Sequence, residues 1–466
     1  MDLFGTAGIR GSAEERVTPE LALRVGRAAG QDGSEFVVGR DGRETGPALA
    51  AAVEAGLESA GAAVRRVGVV PTPTLAFASR GRYGVQLTAS HNPPEDNGIK
   101  LFEDGVEYGR GAEGRIEELV DHPPDPAPWD TWGDVESISV IEEYIETVVA
   151  YARNKRVAPS HPSASVDELD PQEPLSELRA AVDCGNGMGS LATPHILDQL
   201  GASVVTLNAS VDGHFPGRPS KPTPETLATF REFVADGSFA LGIAHDGDAD
   251  RVVFLDGDGE VVHEDTIVAI LAEQYGRTRD VSEPVVVTTP NASGRIDERV
   301  SAAGGRVERT RLGALHEGIE RVREDGGDVV FAAEPWKHIH PEHGGWIDGV
   351  ASAAVLSVLM ASAGGLAPLR EPVTERPYRK ASVACPDEKK SAAMASVKQS
   401  LPDAYPEATV STEYGVRLDF DDGSWILVRP SGTEPYIRIY VESESVDTVL
   451  EAVRELVTNA VPEQRE

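Results

Sequence analysis

Residues 180–190, AAVDCGNGMGS, form an apolar run that ends in a loop rich in Gly and Asn, and residues 200–208, LGASVVTLN, bring a second apolar run after a short turn. A strand, a loop, a helix and another strand in this order are typical of a parallel sheet with crossover helices. The same pattern recurs at residues 36–43 with 60–70, and at 285–295 with 303–313. Repeats more than a hundred residues apart predict three similar α/β domains, with three unrelated units of a common type as the alternative.

The regions between and after these units differ in composition. Residues 121–130 are rich in proline, 158–173 combine Pro, Ser and Asp, and 366–377 precede a change of pattern. Beyond 377, short alternating runs at 416–420, 425–428 and 436–441 predict antiparallel strands, and 445–460 predicts an amphipathic helix. The predicted domains are I (1–140, α/β), II (141–258, α/β), III (259–368, α/β) and IV (369–466, smaller, α+β).

Length and composition exclude several classes of protein. A chain of 466 residues is too long for one core, and it has no apolar run of the ~20 residues that span a bilayer. Its start, MDLFGTAGIRG, does not have the pattern of a secretion signal, so we expect a cytoplasmic protein. The two cysteines, Cys184 and Cys385, offer no framework for disulfides or zinc.

The chain is strongly acidic. It has 77 acidic and 43 basic residues, which give a formal net charge of −34. This balance argues against nucleic acid and anionic membranes as partners, because both attract basic surfaces. It also indicates adaptation to a high-salt cytosol, in which the repulsion between acidic groups is screened.

Residues 87–100, LTASHNPPEDNGIK, predict a rigid loop at the end of a strand. Ser90 stands beside His91 and ten residues before Lys100, and these are the groups that a nucleophile needs for proton transfer and charge neutralisation. A turn or helix-capping serine is the alternative.

Residues 244–251, AHDGDADR, place Asp246, Asp248 and Asp250 at alternate positions after a predicted strand. Carboxylates this close repel one another unless a divalent cation binds them, and Mg²⁺ suits hard oxygen ligands. An EF-hand is excluded because its sixth position would be Arg251 and its twelfth Gly257. The remaining alternative is a solvated acidic turn.

Three further stretches carry candidate ligand-binding groups. Residues 427–438, LVRPSGTEPYIR, combine two arginines with a Ser-Gly-Thr turn that suits a phosphate, although a plain turn also fits. Arg10 lies between glycines in FGTAGIRG, where backbone can approach a ligand closely. Residues 331–350 bring together Glu334, Trp336 and His338, which suit a sugar.

GTAGIRG, TASHNPPEDNGIK, DGDADR and RPSGTEPYIR occur in one order along nearly the whole chain. In this the chain resembles the α-D-phosphohexomutase superfamily, the phosphoglucomutase, phosphomannomutase and phosphoglucosamine mutase group. The resemblance implies three α/β domains with mixed or parallel sheets and a smaller C-terminal α+β domain around a central cleft. It also implies an isomerase of carbohydrate metabolism, an intramolecular phosphotransferase. Such an enzyme moves a phosphoryl group between the 1- and 6-positions of a mannose, glucose or glucosamine phosphate, through a phosphoserine and a bisphosphorylated sugar.

The resemblance also implies roles for individual residues. The catalytic group is Ser90, Arg10, Lys100 and His338. One Mg²⁺ per chain is held by Ser90, Asp246, Asp248 and Asp250. The residues that bind substrate are His91, Arg251, Glu334, Trp336, Arg429, Ser431, Gly432, Thr433 and Arg438. A sugar bisphosphate is expected as activator, a phosphosugar as the small-molecule partner, and a monomer or homodimer as the assembly.

One loop departs from the superfamily pattern. Its common sugar-reading sequence is Gly-Glu-x-Ser-Gly-His, whereas residues 333–338 read AEPWKH, so Trp336 and Lys337 replace Ser and Gly. A bulky ring in place of a hydroxyl rearranges the hydrogen bonds to the sugar. The alternatives that remain are a phosphopentomutase and a non-catalytic phosphosugar-binding protein.

Overall fold

The computed structural model describes residues 3–5, 8–159, 161, 169–432 and 434–462. It divides into two compact units, the first formed by Met1–Glu264 with Val330–Arg370 and the second by Asp265–Val329 with Glu371–Glu466. Within the described ranges, no helix is both long and apolar enough to cross a membrane. The two cysteines are buried and free.

The secondary structure alternates strands and helices through most of the chain. The elements up to residue 153 are β1 (Ile9–Ser12), α1 (Pro19–Ala29), β2 (Glu35–Arg40), α2 (Gly46–Ser59), β3 (Ala63–Val69), α3 (Thr72–Ala78), β4 (Tyr83–Leu87), β5 (Asp96–Glu103), β6 (Val106–Glu107), α4 (Arg110–Asp121), β7 (Val135–Ser137) and α5 (Ile141–Arg153). Those up to residue 278 are β8 (Arg179–Asp183), α6 (Thr193–Gln199), β9 (Ser203–Leu207), α7 (Ala228–Asp236), β10 (Leu241–His245), β11 (Val252–Leu255) and α8 (Glu264–Thr278). Those up to residue 370 are β12 (Pro284–Thr288), α9 (Gly294–Ala302), β13 (Arg306–Arg309), α10 (Leu315–Glu324), β14 (Asp328–Glu334), β15 (Lys337–Ile339), α11 (Gly349–Ala363) and α12 (Leu366–Arg370). The last are β16 (Tyr378–Ala384), α13 (Asp387–Ala404), β17 (Thr409–Ser411), β18 (Val416–Asp419), β19 (Trp425–Pro430), β20 (Tyr436–Glu442) and α14 (Val446–Ala460).

The first sheet has the strand order β1-β5-β4-β2-β3-β7, with β6 beside β5. Strands β4, β2, β3 and β7 run parallel, whereas β5 is antiparallel to both β4 and β1. Helices α1 and α2 cross closely, because a Cβ atom at Gly26 would lie 2.3 Å from the Val53 carbonyl oxygen and one at Gly56 2.3 Å from that of Leu23. Two glycines therefore let the helix backbones touch.

The second sheet has the order β11-β10-β8-β9. Strands β8, β9 and β10 are parallel, and β11 returns antiparallel to β10. Every residue of β10 is buried, which suits a central strand covered on both faces. Functional groups in such sheets collect beyond the carboxyl ends of the strands, and the Asp triad follows β10 directly.

The first unit also contains helix α11 and, from Val330 onward, the hairpin that β14 and β15 form. Helix α11 is buried almost all round, in keeping with its apolar sequence. Asp348 caps its first turn by accepting a hydrogen bond from the Ala351 N–H, and Gly364 ends it with a φ of +76°.

The second unit combines the parallel pair β12–β13 with an antiparallel sheet in the order β16-β20-β19-β18-β17. Helices α13 and α14 contribute to the apolar core of this sheet. Ser293, at the start of α9, donates a hydrogen bond to Glu442 of β20 (2.7 Å). The α/β fold class and the smaller C-terminal α+β part predicted from the sequence are confirmed.

Candidate active site

Ser90 lies three residues beyond the end of β4 and is completely buried. Its backbone φ is +53°, in the left-handed region that non-glycine residues seldom occupy. Its Oγ donates a hydrogen bond to Asp246 Oδ2 (2.7 Å), and His91 Nδ1 lies 3.5 Å from the same hydroxyl. An ordinary capping serine has no such surroundings, so the structure favours the reactive interpretation of this loop.

The three aspartates after β10 form a compact group of oxygen ligands. Asp246, Asp248 and Asp250 are buried, and one ligand atom from each lies within 4.8 Å of the others. Oδ1 of Asp248 and Oδ1 of Asp250 have no hydrogen-bond partner within the described part of the chain. Buried unpaired carboxylate oxygens are unfavourable without a cation, so this donor set fits Mg²⁺.

Lys100 partly balances this negative charge. It lies on β5, next to β4 in the sheet, and its Nζ is 3.0 Å from Asp248 Oδ2 and 2.8 Å from Asp250 Oδ2. Thr72 Oγ1 donates a further hydrogen bond to Asp248 (2.6 Å). Burial alone would lower the pKa of Lys100, but the two carboxylates outweigh it and raise the pKa well above its usual value, so Lys100 stays charged.

The carboxylates of the triad differ in their affinity for protons. Burial, followed by repulsion from Asp248 and Asp250, raises the pKa of Asp246 to about 8. Burial alone would raise the pKa of Asp250. The positive charges of Lys100 and Lys337 outweigh this effect and hold the pKa of Asp250 well below the usual range. A further cation beside Asp246 would lower the pKa of Asp246 and so reduce its difference from Asp250. A metal ion bound to the triad would have this effect.

Other cations surround Ser90. Arg10 lies opposite Gly98 in the β1–β5 pair, which puts it on the same face of the sheet as Lys100, and its Nε and Nη2 are buried without a partner among the described residues. Arg251 Nε lies 3.8 Å from Asp246 Oδ2 and 3.9 Å from Asp250 Oδ1. Arg10 and Arg251 thus keep guanidinium nitrogens without a hydrogen-bond partner among the described residues, and such nitrogens suit an anionic group.

The imidazole beside Ser90 is neutral. Burial, followed by the positive charges of Arg251 and Arg10, lowers the pKa of His91 to about 3. A neutral ring adds no positive charge beside the Ser90 hydroxyl.

The predicted phosphate loop lies in the second unit, at the junction of β19 and β20. Ser431 is buried, and its N–H donates to the Tyr436 carbonyl (2.9 Å), which closes the turn. Arg429 donates to the Tyr440 hydroxyl (2.9 Å), and a Cβ atom at Gly432 would meet nothing within 4 Å. Thr433 lies outside the described residues. The turn is thus fixed at Ser431 and open at Gly432.

Comparison with known families agrees with this geometry. Models of the phosphoglucomutase/phosphomannomutase α/β/α domains I, II and III match residues 1–125, 163–259 and 263–378. The model of the C-terminal domain of the same family matches residues 381–459. The chain belongs to the phosphoglucomutase/phosphomannomutase family. It is a phosphosugar mutase, an isomerase of the intramolecular phosphotransferase class.

Several relatives resemble the mutase along its whole length. A "Phosphopentomutase" of Thermococcus kodakarensis is 40% identical, covering 95% of this chain and 94% of that protein. A "Probable phosphoglucosamine mutase" of Methanopyrus kandleri is also 40% identical, covering 99% of each. The crystal structure of a phosphoglucomutase/phosphomannomutase family protein from Burkholderia thailandensis is 25% identical, covers 98% of this chain and 97% of that one, and superposes with a TM-score of 0.82.

Pro335 and Trp336 form the turn between β14 and β15. Trp336 has a φ of +65°, a conformation that a turn normally gives to glycine. Its carbonyl accepts a hydrogen bond from Val252 N–H (3.1 Å), and its half-buried ring packs against an apolar cluster that includes Phe230 and Leu255. This packing covers one part of the ring and leaves the rest exposed.

Lys337 is a charged group that sequence reasoning did not assign to the site. Its buried Nζ lies 3.8 Å from Asp250 Oδ2 and 3.9 Å from Glu334 Oε1. The signal for it in the sequence is its place in the 333–338 stretch, which departs from the pattern that the resemblance implies. The turn therefore adds a cation to the Asp triad.

His338 lies apart from these groups. Its Nδ1 bonds to Ser352 Oγ (3.0 Å), and its ring packs against Phe331 and His340. Burial lowers the pKa of His338 to about 3. Neighbouring residues of a strand point to opposite faces, so with Lys337 directed to Asp250, His338 faces the core. The place of His338 in the catalytic group stays a prediction.

Proposed function

We propose that the protein transfers a phosphoryl group between the 1- and 6-positions of a hexose phosphate, with Ser90 as the phosphoryl carrier. The observation that carries the proposal is the Ser90 hydroxyl, buried and hydrogen-bonded to Asp246 within a triad of carboxylates. In the forward step the bond between phosphorus and Ser90 Oγ breaks as one forms to a hydroxyl oxygen of the sugar phosphate. The sugar hydroxyl loses its proton in this step. In the second step the bond between the sugar's original phosphoryl group and its sugar oxygen breaks, that oxygen takes up a proton, and the phosphoryl group returns to Ser90 Oγ.

One Mg²⁺ would be held by Asp246, Asp248, Asp250 and the phosphorylated Ser90. When bound, it supplies positive charge that stabilises the transferring phosphoryl group. The unpaired Oδ1 atoms of Asp248 and Asp250 support this assignment. A sugar bisphosphate is the expected activator, because it can phosphorylate an empty Ser90.

The chain's own cations neutralise the remaining charge. Phosphoryl transfer depends on positioning and on charge stabilisation more than on covalent activation. We assign this role to Arg10, Lys100 and Arg251, and add Lys337 because of its distance from Asp250. His91, neutral and 3.5 Å from Ser90 Oγ, is assigned to contact the phosphoryl group.

In the second unit we assign the non-reacting phosphate to Arg429, Ser431, Gly432, Thr433 and Arg438. Each arginine can donate two parallel hydrogen bonds to phosphate, and the open Gly432 leaves backbone within reach. We further propose that the protein is cytoplasmic and is a monomer or homodimer.

The sugar is read by Glu334 and by the exposed part of Trp336. A glucosamine phosphate is favoured by the Methanopyrus relative, whereas the Thermococcus relative and the bulky Trp336 favour a pentose phosphate as the second candidate. A non-catalytic binding protein is disfavoured, because it would have no need of the buried Ser90 and Asp triad.

Two measurements test the proposal. Intact mass before and after phosphatase treatment should differ by one phosphoryl group that maps to Ser90, and Ser90→Ala should abolish turnover while the variant remains folded. Assays of glucose, mannose, glucosamine and ribose 1-phosphates side by side, each with a trace of its bisphosphate, identify the sugar. A Ser90→Ala variant with more than a few per cent of wild-type activity would overturn the role of Ser90.

A further inference from the structure

Arg43, in the loop after β2, is a fully buried arginine whose whole guanidinium group is engaged. Nε lies 3.1 Å from Asp41 Oδ2. The other donors reach backbone carbonyls of the Ser90 loop, namely Ser90 (2.9 Å) and Asn92 (2.8 Å) from Nη2, and Asp96 (2.8 Å) and Pro93 from Nη1. A guanidinium has five N–H groups in a planar fork, and here all five have acceptors. One side chain thus gathers four carbonyls of residues 90–96.

Asp41 also restrains the backbone N–H of Ser90, through Thr88. Its Oδ2 accepts a hydrogen bond from Thr88 Oγ1 (2.7 Å), and that hydroxyl oxygen accepts one from the Ser90 N–H (2.8 Å). Asp41 Oδ1 also accepts from the Arg43 backbone N–H (3.0 Å). Both the N–H and the carbonyl of Ser90 are therefore tied to one buried ion pair.

Ser90 needs such restraint because of its backbone conformation. At a φ of +53° a serine is strained, and strained conformations persist where the surroundings hold them. In this conformation Oγ lies 2.7 Å from Asp246. The ring of Phe215 lies 5.1 Å from Arg43 Cζ and covers the guanidinium. Free rotation of Ser90 would move Oγ away from the carboxylates.

We propose that the Asp41–Arg43 pair is a positioning device that holds Ser90 in its left-handed conformation and directs Oγ toward the Asp triad. Arg43 is a positioning residue, since it contacts the backbone around Ser90. The inference rests on the proposed function of Ser90 as phosphoryl carrier. It follows that the pair governs the rate of phosphoryl transfer, while substrate binding through the phosphate loop is independent of it.

The test compares Arg43→Lys with Arg66→Lys, which alters an arginine of the same sheet that pairs with Glu54 instead. A lysine keeps the charge but has three donors on one nitrogen, too few for four carbonyls and a carboxylate. We expect Arg43→Lys to lower kcat by about 100-fold with KM changed less than threefold, because small displacements of a reacting group have effects of this size. Arg66→Lys should match the wild type. In Arg43→Ala, added guanidinium chloride at low millimolar concentration should restore part of kcat.

A folded Arg43→Lys variant with kcat within threefold of wild type overturns the inference, as does an equal change in KM. If the Arg43 variants do not fold, Thr88→Val decides, because it removes the bond to the Ser90 N–H and leaves Arg43 in place. A fall in kcat of tenfold or more in Thr88→Val, with KM retained, supports the inference, and a smaller fall overturns it. Ser90→Ala distinguishes a failure of this inference from a failure of the proposed function. Activity in that variant would contradict the proposed function of Ser90 as phosphoryl carrier.

Discussion

Arg429 and Arg438 lie directly opposite each other on the antiparallel strands β19 and β20. Like charges in such a cross-strand pair destabilise a sheet. Lys380, on the neighbouring strand β16, adds a third positive charge, and its pKa is lowered by burial and then by these two arginines. Arg438 is paired with Glu434, but no carboxylate among the described residues is recorded against the Arg429 guanidinium. A bound phosphate would relieve the repulsion.

We therefore expect Arg429→Ala to weaken substrate binding far more than turnover. A hydrogen bond to a charged group contributes about 1.5–3 kcal/mol, so KM should rise by roughly 10- to 150-fold. Steady-state kinetics check this, and Arg454→Ala, which changes an exposed arginine of α14, is the control. In addition, inorganic phosphate should raise the thermal unfolding midpoint of the wild type more than that of Arg429→Ala. An unchanged KM contradicts the assignment of the loop.

Lys337→Met should strengthen Mg²⁺ binding and slow turnover. The lysine ammonium lies 3.8 Å from Asp250 Oδ2, so it repels a divalent cation bound to the triad, and its removal should lower the half-saturating Mg²⁺ concentration by about tenfold. At the same time kcat should fall, because one cation near the phosphoryl group is lost. Magnesium titrations by calorimetry and by activity measure both effects.

Lys155→Met is the matched control, since Lys155 pairs with Glu342 in the same unit. If Lys337→Met and Lys155→Met respond to Mg²⁺ alike, Lys337 has no part in the site.

The fold could be predicted from the sequence where local pattern and tertiary environment agree. Strands β8 and β10 are buried apolar runs followed by polar loops, so they could be predicted directly. Strand β16 could not, because it is an edge strand with charged, exposed residues, and β17 is exposed throughout. In neither strand do apolar and polar residues alternate clearly enough to predict a strand from the sequence. The limits of the four domains remain predictions.

The site likewise contains residues that could be predicted from the sequence and residues that could not. The Asp triad could be predicted because its ligands are neighbours in sequence. The bond from Arg43 to Ser90 spans 47 residues, and Lys337 reaches Asp250 from another hairpin, so both depend on how strands are placed in the fold. The role of His338 stays a prediction from the motif, and its contact with Ser352 depends on strand alternation that the motif does not show.

Trp336→Gly should change the preference between sugars. Glycine adopts a φ of +65° without strain, so the turn should persist while the ring leaves the space beside Glu334. We expect the ratio of kcat/KM for glucosamine 1-phosphate to that for ribose 1-phosphate to rise at least about tenfold, within the range that pocket contacts provide. Trp129→Gly, at a tryptophan that is 87% exposed, should leave the ratio unaltered. A constant ratio in Trp336→Gly would remove this residue from sugar recognition.

Acid should destabilise the first unit through two buried histidines. Burial lowers the pKa of His338 to about 3 and, with the charge of His338, that of His340 well below its usual value. In the unfolded chain both titrate near 6.5, so below that pH the unfolded state binds more protons and stability falls as pH falls. The contribution of each histidine to the slope grows as the pH falls below 6.5 and approaches the limit for one proton, about 1.4 kcal/mol per pH unit.

Urea unfolding at pH 7.5, 6.5 and 5.5 measures this slope. His340→Asn should reduce it, whereas His214→Asn, at an exposed histidine, should not. Equal slopes in the two variants would show that other groups cause the acid sensitivity.

Salt should stabilise the whole protein. The net charge of −34 makes acidic groups repel one another in the folded state, and the Debye length falls from about 10 Å at 0.1 M salt to about 3 Å at 1 M. We therefore expect the thermal unfolding midpoint and activity to rise steeply between 0.1 and about 2 M KCl. Sucrose at matched osmolality is the control, because it strengthens burial without screening charge. Full stability in dilute buffer, or an equal gain in sucrose, would contradict the halophilic interpretation, since charge screening would then not be what the fold requires.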